Sequence, residues 1–215
     1  PGTCLKLLKS IYGLKQSPMV FAEKLLSVLF TLGFKSNRAD VCVLYRTSPL
    51  CLICITVDDL GIFCTSKEFR MKILQTLQAN FDVKDLGPLT RYVGLEVVFG
   101  NGYCFVHQTS YVETVVCKYN MQESKSVPTP ASTTVPTKED CPETDEQKQE
   151  FATVPYKSAV GSLWYAANGT RPDITYAVNV VSQFSTNPGN VHWQAVKRIL
   201  RFLNGNTNFG ITYTK

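Results

Sequence analysis

Histidine is scarce in this chain. His107 and His192 are the two it has, and each stands alone in its neighbourhood. Neither a histidine metal centre nor a catalytic histidine pair is expected, and both are read as packing or hydrogen-bonding residues. Long apolar runs are missing too. The longest, Leu50 to Val57, falls far short of the roughly 20 residues a membrane span needs, and no signal-peptide pattern opens the chain. No membrane-spanning segment is expected, and a soluble protein of a reducing, intracellular compartment is expected. A second C-x-x-C pair is absent as well, so Cys51-Leu52-Ile53-Cys54 cannot close a zinc site by itself. Cys42, Cys51, Cys54, Cys64, Cys104 and Cys117 lie within apolar or aromatic runs and are expected to be buried thiols. An initiating methionine is also lacking, and a chain that opens on Pro1 reads as a piece of a longer protein.

What is present is uneven. A length of 215 residues accommodates one sizeable domain or two small ones. The net charge of +5 hides a local balance of −4 between Lys138 and Glu150, which leaves +9 on the remainder. A basic body with an acidic insert suits a polyanionic partner, and a solvated surface would look the same.

Periodicity divides the chain. Phe21, Leu25, Val28, Leu29 and Leu32 recur at helical spacing, with Gly33 as a stop. Val41 to Arg46 and Leu50 to Thr65 are β-branched and apolar, interrupted by Thr47-Ser48-Pro49 and again by Asp58-Asp59. Ser66 caps a helix striped by Phe69, Ile73 and Leu77. Gly94 to Phe99 and Tyr103 to His107 flank Gly100-Asn101-Gly102, a hairpin signal. A further helix begins near Thr109 or Ser110 and carries Val112, Val115, Val116 and Tyr119. Residues 122–150 hold proline, serine, threonine and acids, and are read as a flexible acidic linker. Helices then follow over Tyr156 to Ala167, Asp173 to Phe184 and Val191 to Leu203. Phe209, Ile211 and Tyr213 alternate as a closing strand expected to lack a partner. The expected class is α+β, divided as 1–121, 122–150 and 151–215.

The run Ile53-Cys54-Ile55-Thr56-Val57-Asp58-Asp59-Leu60-Gly61-Ile62-Phe63 places two adjacent carboxylates between apolar strands. Taken alone, the pair fits a solvent-facing hairpin turn or a site for a hard cation such as magnesium. Lys197, Arg198 and Arg201 share one side of the last helix, as a solvated face or as a nucleic-acid track.

Several blocks point further. Leu8 to Pro18, containing Tyr12-Gly13-Leu14-Lys15-Gln16-Ser17-Pro18, resembles the YGLKQSP block of copia-type retrotransposon reverse transcriptases. The acidic turn then falls where that family has YVDD. Phe81 to Gly87, Val93-Gly94-Leu95-Glu96, Val160 to Tyr165, Thr170 to Ile174 and His192 to Leu200 resemble later blocks, in order, so the likeness covers essentially the whole chain. The resemblance implies an RNA-directed DNA polymerase with a palm-like antiparallel sheet, packed helices and a helical thumb or connection-like region. It implies Asp58 and Asp59 as ligands for Mg2+ or Mn2+ in two-metal nucleotidyl transfer. Lys15, Gln16 and Ser17 would line the nucleotide pocket, Lys84 would assist the leaving pyrophosphate, and Val93, Gly94 and Leu95 would grip the primer end. Partners would be an RNA/DNA primer–template and deoxynucleotide triphosphates. An upstream palm segment and a downstream RNase H domain of the same polyprotein would join them, in the cytoplasm or virus-like particles with nuclear access open.

Three departures accompany the likeness. Thr56 stands for the tyrosine of YVDD, Met19-Val20-Phe21 replaces an arginine and aromatic pair, and the family's further palm aspartate lies upstream of the YGLKQSP block. The isolated chain is therefore expected to be inactive. The alternative is a catalytically inert remnant that binds nucleic acid or a protein partner.

Overall fold

A computed structural model of the chain describes residue 7, residue 11 and residues 13–215. Leu8, Lys9, Ser10 and Tyr12 of the first block lie outside the described residues. The chain divides into two compact units, Pro1–Leu89 and Thr90–Lys215.

In the first unit, α1 (Ser17–Thr31) precedes four strands, β1 (Lys35–Ser36), β2 (Val43–Thr47), β3 (Leu50–Thr56) and β4 (Asp59–Cys64). These form an antiparallel sheet in the order β1-β2-β3-β4, followed by α2 (Lys67–Asn80). Alternation along the strands sends Leu44, Cys51 and Ile53 to one face, where they join Leu25 and Leu29 of α1 and Ile73 and Leu77 of α2 in one core. Gly33, at φ +81°, follows α1 in the left-handed conformation that glycine adopts without cost. Ser66 caps α2, its hydroxyl accepting from the Phe69 amide at 3.1 Å. Both helices match their sequence signals.

The cysteine expectation needs correcting. Cys51 and Cys64 are direct cross-strand partners on β3 and β4 and form a disulfide with a Cα–Cα separation of 4.2 Å. Thirteen positions separate them, and the hairpin fold brings them together. Cys42 and Cys117 are exposed, while Cys54 and Cys104 are half-buried. Cys42 precedes β2 rather than lying within it, so strand alternation does not turn it inward.

The second unit opens with β5 (Arg91–Tyr92), β6 (Leu95–Gly100) and β7 (Tyr103–His107), then α3 (Thr109–Lys118). After the 122–150 segment come α5 (Tyr156–Gly169), α6 (Thr175–Ser182), α7 (Asn190–Gly205) and β8 (Gly210–Thr214). Val112, Val115 and Val116 of α3 bury against Leu163, Val178, Val196, Ile199 and Leu200 from the later helices. The closing strand does have a partner: β8 pairs antiparallel with β7, Ile211 opposite Val106. These two long-range pairings put 90–121 in one compact body with 151–215. The division therefore falls after Leu89, whereas the sequence reading put it after 121, where apolar periodicity stops.

The 122–150 segment carries structure. Thr144 caps a short helix, α4 (Asp145–Phe151), and its hydroxyl accepts from the Gln147 amide. Side chains of α7 hold the earlier part. Arg201 Nε donates to the Lys125 carbonyl at 2.7 Å, and Arg198 donates to the Thr129 hydroxyl at 2.9 Å. Asn204 donates to the carbonyls of Gln122 and Ser124, each at 3.1 Å. His192, fully buried, accepts the Gly189 amide at Nδ1 and donates from Nε2 to the Thr137 carbonyl, both at 3.0 Å. That pairing selects the neutral Nε2–H tautomer and gives His192 the hydrogen-bonding role its isolation suggested. Among the described residues, no helix is long and apolar enough to cross a membrane.

Candidate functional site

β3 and β4 are joined by a two-residue turn of Val57 and Asp58. Asp59 is not at the tip, as the sequence suggested; it begins β4 and pairs with Thr56. Val57 sits at φ +51°. A β-branched residue in that region is an outlier, costing about 1–2 kcal/mol, and such strain clusters at functional sites. Val57 is also 65% exposed, so burial does not explain its conformation. Both aspartates are exposed.

Asp59 shares its sheet face with Thr56, and the same face carries Leu52 opposite Phe63 and Tyr45 opposite Leu52. Those three side chains remain 37–42% exposed, since α1 and α2 cover the other face. A helix-backed sheet thus presents the Asp59 carboxylate beside an open apolar surface, with Asp58 next to it in the turn. Carboxylate oxygens suit a hard cation. Among the described residues, however, no group of three or more His, Cys, Asp or Glu side chains is placed to hold a metal. Two carboxylates are fewer oxygen ligands than such a cation takes.

Of the other expected residues in this unit, Lys15 and Gln16 are exposed just ahead of α1, and Ser17 is its first residue. The Ser17 hydroxyl donates to the Ile11 carbonyl at 2.6 Å, a local bond that shapes the entry into the helix. Lys84 is exposed in the irregular stretch after α2. Its neighbour Asp85 accepts from the Gly87 amide at 2.9 Å and faces Arg70 at 3.8 Å. Among the described residues, no hydrogen bond or ion pair joins Lys15, Gln16 or Lys84 to the two aspartates.

In the second unit, Val93 and Gly94 make the turn between β5 and β6, at φ +49° and +78°. Leu95 opens β6 opposite Tyr92. The next residue, Glu96, accepts from the backbone amide of Ser110 at 3.1 Å and from its hydroxyl. That hydroxyl bond, with smaller help from Arg91 and His107, holds the Glu96 carboxyl below its usual range against the effect of burial. Lys197, Arg198 and Arg201 are half-buried on α7, and the two arginines are engaged by the 122–130 stretch as described above.

Two features went unread in the sequence. Arg171 is fully buried and pairs with Asp173; the T-R-P-D-I block contained both, but nothing local signalled burial. Tyr165, within the V-G-S-L-W-Y block, donates to the Val93 carbonyl at 3.2 Å.

The reverse transcriptase (RNA-dependent DNA polymerase) family matches residues 1–133, a span that includes the β3–β4 turn. The chain belongs to that family. It is 40% identical, over 94% of its length, to the "Retrovirus-related Pol polyprotein from transposon TNT 1-94" of Nicotiana tabacum, covering 16% of that protein. To the "Retrovirus-related Pol polyprotein from transposon RE1" of Arabidopsis thaliana it is 35% identical over its whole length, covering 14%. To the "Putative transposon Ty5-1 protein YCL074W" of Saccharomyces cerevisiae it is 28% identical over 94% of its length, covering 65%. No solved structure matches. This reverse transcriptase chain thus spans only about one-seventh of the plant Pol polyproteins it matches.

Proposed function

We propose that this chain supplies the acidic hairpin of an RNA-directed DNA polymerase site in a copia-type retrotransposon polyprotein. The observation that supports it best is the turn holding Asp58 beside Asp59, with strained Val57 before them and Asp59 on the open side of a helix-backed sheet. Asp58 and Asp59 contribute carboxylate oxygens toward Mg2+ or Mn2+, which when bound would stabilise charge on the attacking and leaving oxygens of nucleotidyl transfer. The chain's own residues bind and orient. Lys15, Gln16 and Ser17 meet the incoming deoxynucleotide triphosphate, Lys84 offers a proton donor toward departing pyrophosphate, and Val93, Gly94 and Leu95 contact the primer end. Lys197 adds phosphate contact to the primer–template. An upstream palm segment completes the carboxylate set, and a downstream RNase H domain follows in the parent protein, in the cytoplasm or a virus-like particle.

Primer extension tests this reading. Residues 1–215 alone should extend no primer with Mg2+ and nucleotides. A version lengthened upstream through the family's aspartate strand should do so. In that version Asp58→Asn should abolish extension, because losing a metal ligand costs orders of magnitude in rate. Full activity of the lengthened Asp58→Asn protein would remove Asp58 from the ligand set. Thr56 in place of the family's tyrosine favours a second reading, an inert remnant that binds nucleic acid or a protein partner. Primer–template binding without extension in the lengthened protein would support that reading instead.

A further inference from the structure

The β5–β6 turn is held at two places. Ser110, at the start of α3, holds Glu96 on one side of it, and Tyr165 holds Val93 from α5. The turn needs such restraint. Val93 is β-branched and sits at positive φ, a conformation it leaves readily when its carbonyl is freed. Gly94 is constrained twice over. Its φ is left-handed, and a Cβ there would lie 2.4 Å from the Tyr165 hydroxyl oxygen.

Tyr165 is itself fixed. Its ring meets the Tyr111 ring edge-on at 4.7 Å between centroids. The Tyr111 hydroxyl in turn donates to the Ser162 carbonyl of the same α5 at 3.0 Å. Yet Tyr165 is 45% exposed, so it adds little to the core. Its defined contact beyond Tyr111 is the turn, 72 positions earlier in the chain.

We infer that Tyr165 is a positioning residue for the primer end. It clamps the Val93–Gly94 turn to α5, so that Val93 and Leu95 are offered in a single geometry. This rests on the reading of residues 93–95 as the primer contact. Its value lies in precision, because a misplacement of about 1 Å in a positioning element can cost about a hundredfold in rate.

The test uses residues 1–215 with Tyr165→Phe, which keeps the ring and its Tyr111 contact, and Tyr165→Leu, which loses both. Three quantities are read: melting temperature, amide hydrogen exchange at Gly94 and Leu95, and the affinity for a recessed-3′-end primer–template relative to a blunt duplex. Tyr165→Phe should stay within about 4 °C of the parent in melting. It should quicken exchange at the turn about threefold to tenfold, the worth of one neutral hydrogen bond. It should also lower the recessed-to-blunt ratio, and Tyr165→Leu should exceed it in every readout. Unchanged exchange in both variants overturns the clamp. Faster exchange with an unchanged ratio leaves the clamp standing but overturns the primer contact on which its role depends. A parent ratio near one overturns that contact at once.

Discussion

Arg171 and Asp173 face each other across Pro172 as a two-pronged ion pair, Nε 3.0 Å from Oδ1 and a terminal nitrogen 2.7 Å from Oδ2. The remaining arm of Arg171 donates to the Asn206 carbonyl at 2.7 Å, and the rings of Phe202 and Phe209 lie 5.7 and 5.4 Å from the guanidinium. One buried cation therefore ties the entry of α6 to the exit of α7.

Arg171→Met should destabilise the chain by about 3 kcal/mol, the low end for breaking a buried pair, because partly solvated Asp173 can rehydrate. Arg171→Lys should recover only part of this, since an ammonium cannot make the fork. Urea unfolding followed by tryptophan fluorescence measures both. An unchanged midpoint for Arg171→Met would contradict the structural role.

Mn2+ added to the labelled chain should broaden NMR signals at residues 56–61 selectively, and weakly, because two carboxylates leave most of a coordination sphere open. Asp58→Asn should remove most of the effect. Equal broadening over the acidic 138–150 stretch would indicate general surface attraction.

The three basic residues of α7 should separate. Arg198→Ala and Arg201→Ala release the 122–130 stretch and should speed its cleavage by protease, because freed loop backbone opens more readily. Lys197→Ala should leave cleavage unchanged and lower the salt dependence of primer–template binding by about one phosphate contact. Faster cleavage with Lys197→Ala, or none with the arginine variants, would reverse the assignment.

Glu96 should make stability depend on pH. Its carboxyl is held below the ordinary value, first by the Ser110 hydroxyl. The unfolded chain therefore takes up that proton before the folded chain does. The stabilisation is complete above the unfolded carboxylate range and drains away as pH falls through the lower folded value. Glu96→Gln should flatten the decline in stability on acidification through that window. An identical acid profile in the variant would sink the claim.

These tests bear mostly on relationships that local sequence could not announce. Ser66 with Phe69, Ile73 and Leu77, the stop at Gly33 and the turn at Asn101-Gly102 were all legible, because each depends on neighbours within a few positions. The aspartate pair was legible as a hairpin feature, although the turn falls one residue earlier, on Val57 and Asp58. Other features depend on partners dozens of positions apart: the Cys51–Cys64 bridge, the pairing of β8 with β7, and the reach of Tyr165 to Val93. Those depend on tertiary packing, which periodicity does not encode. The same limit explains the boundary, since α3 looked like the end of one piece until its valines were seen among the later helices.

Val127 and Ala131 of the stretch that crosses α7 pack against the core, but much of the polar grip falls on its main chain: Arg201, Asn204 and His192 all reach for carbonyl oxygens, those of Lys125, Gln122, Ser124 and Thr137. Every amino acid carries that oxygen. Mutation could therefore rewrite the letters at Gln122, Ser124, Lys125 and Thr137 without removing those bonds, whereas each change at Arg201, Asn204 or His192 would be felt. Among descendants of such an element, drift should accumulate in the segment being held and selection should fall on the helix that holds it.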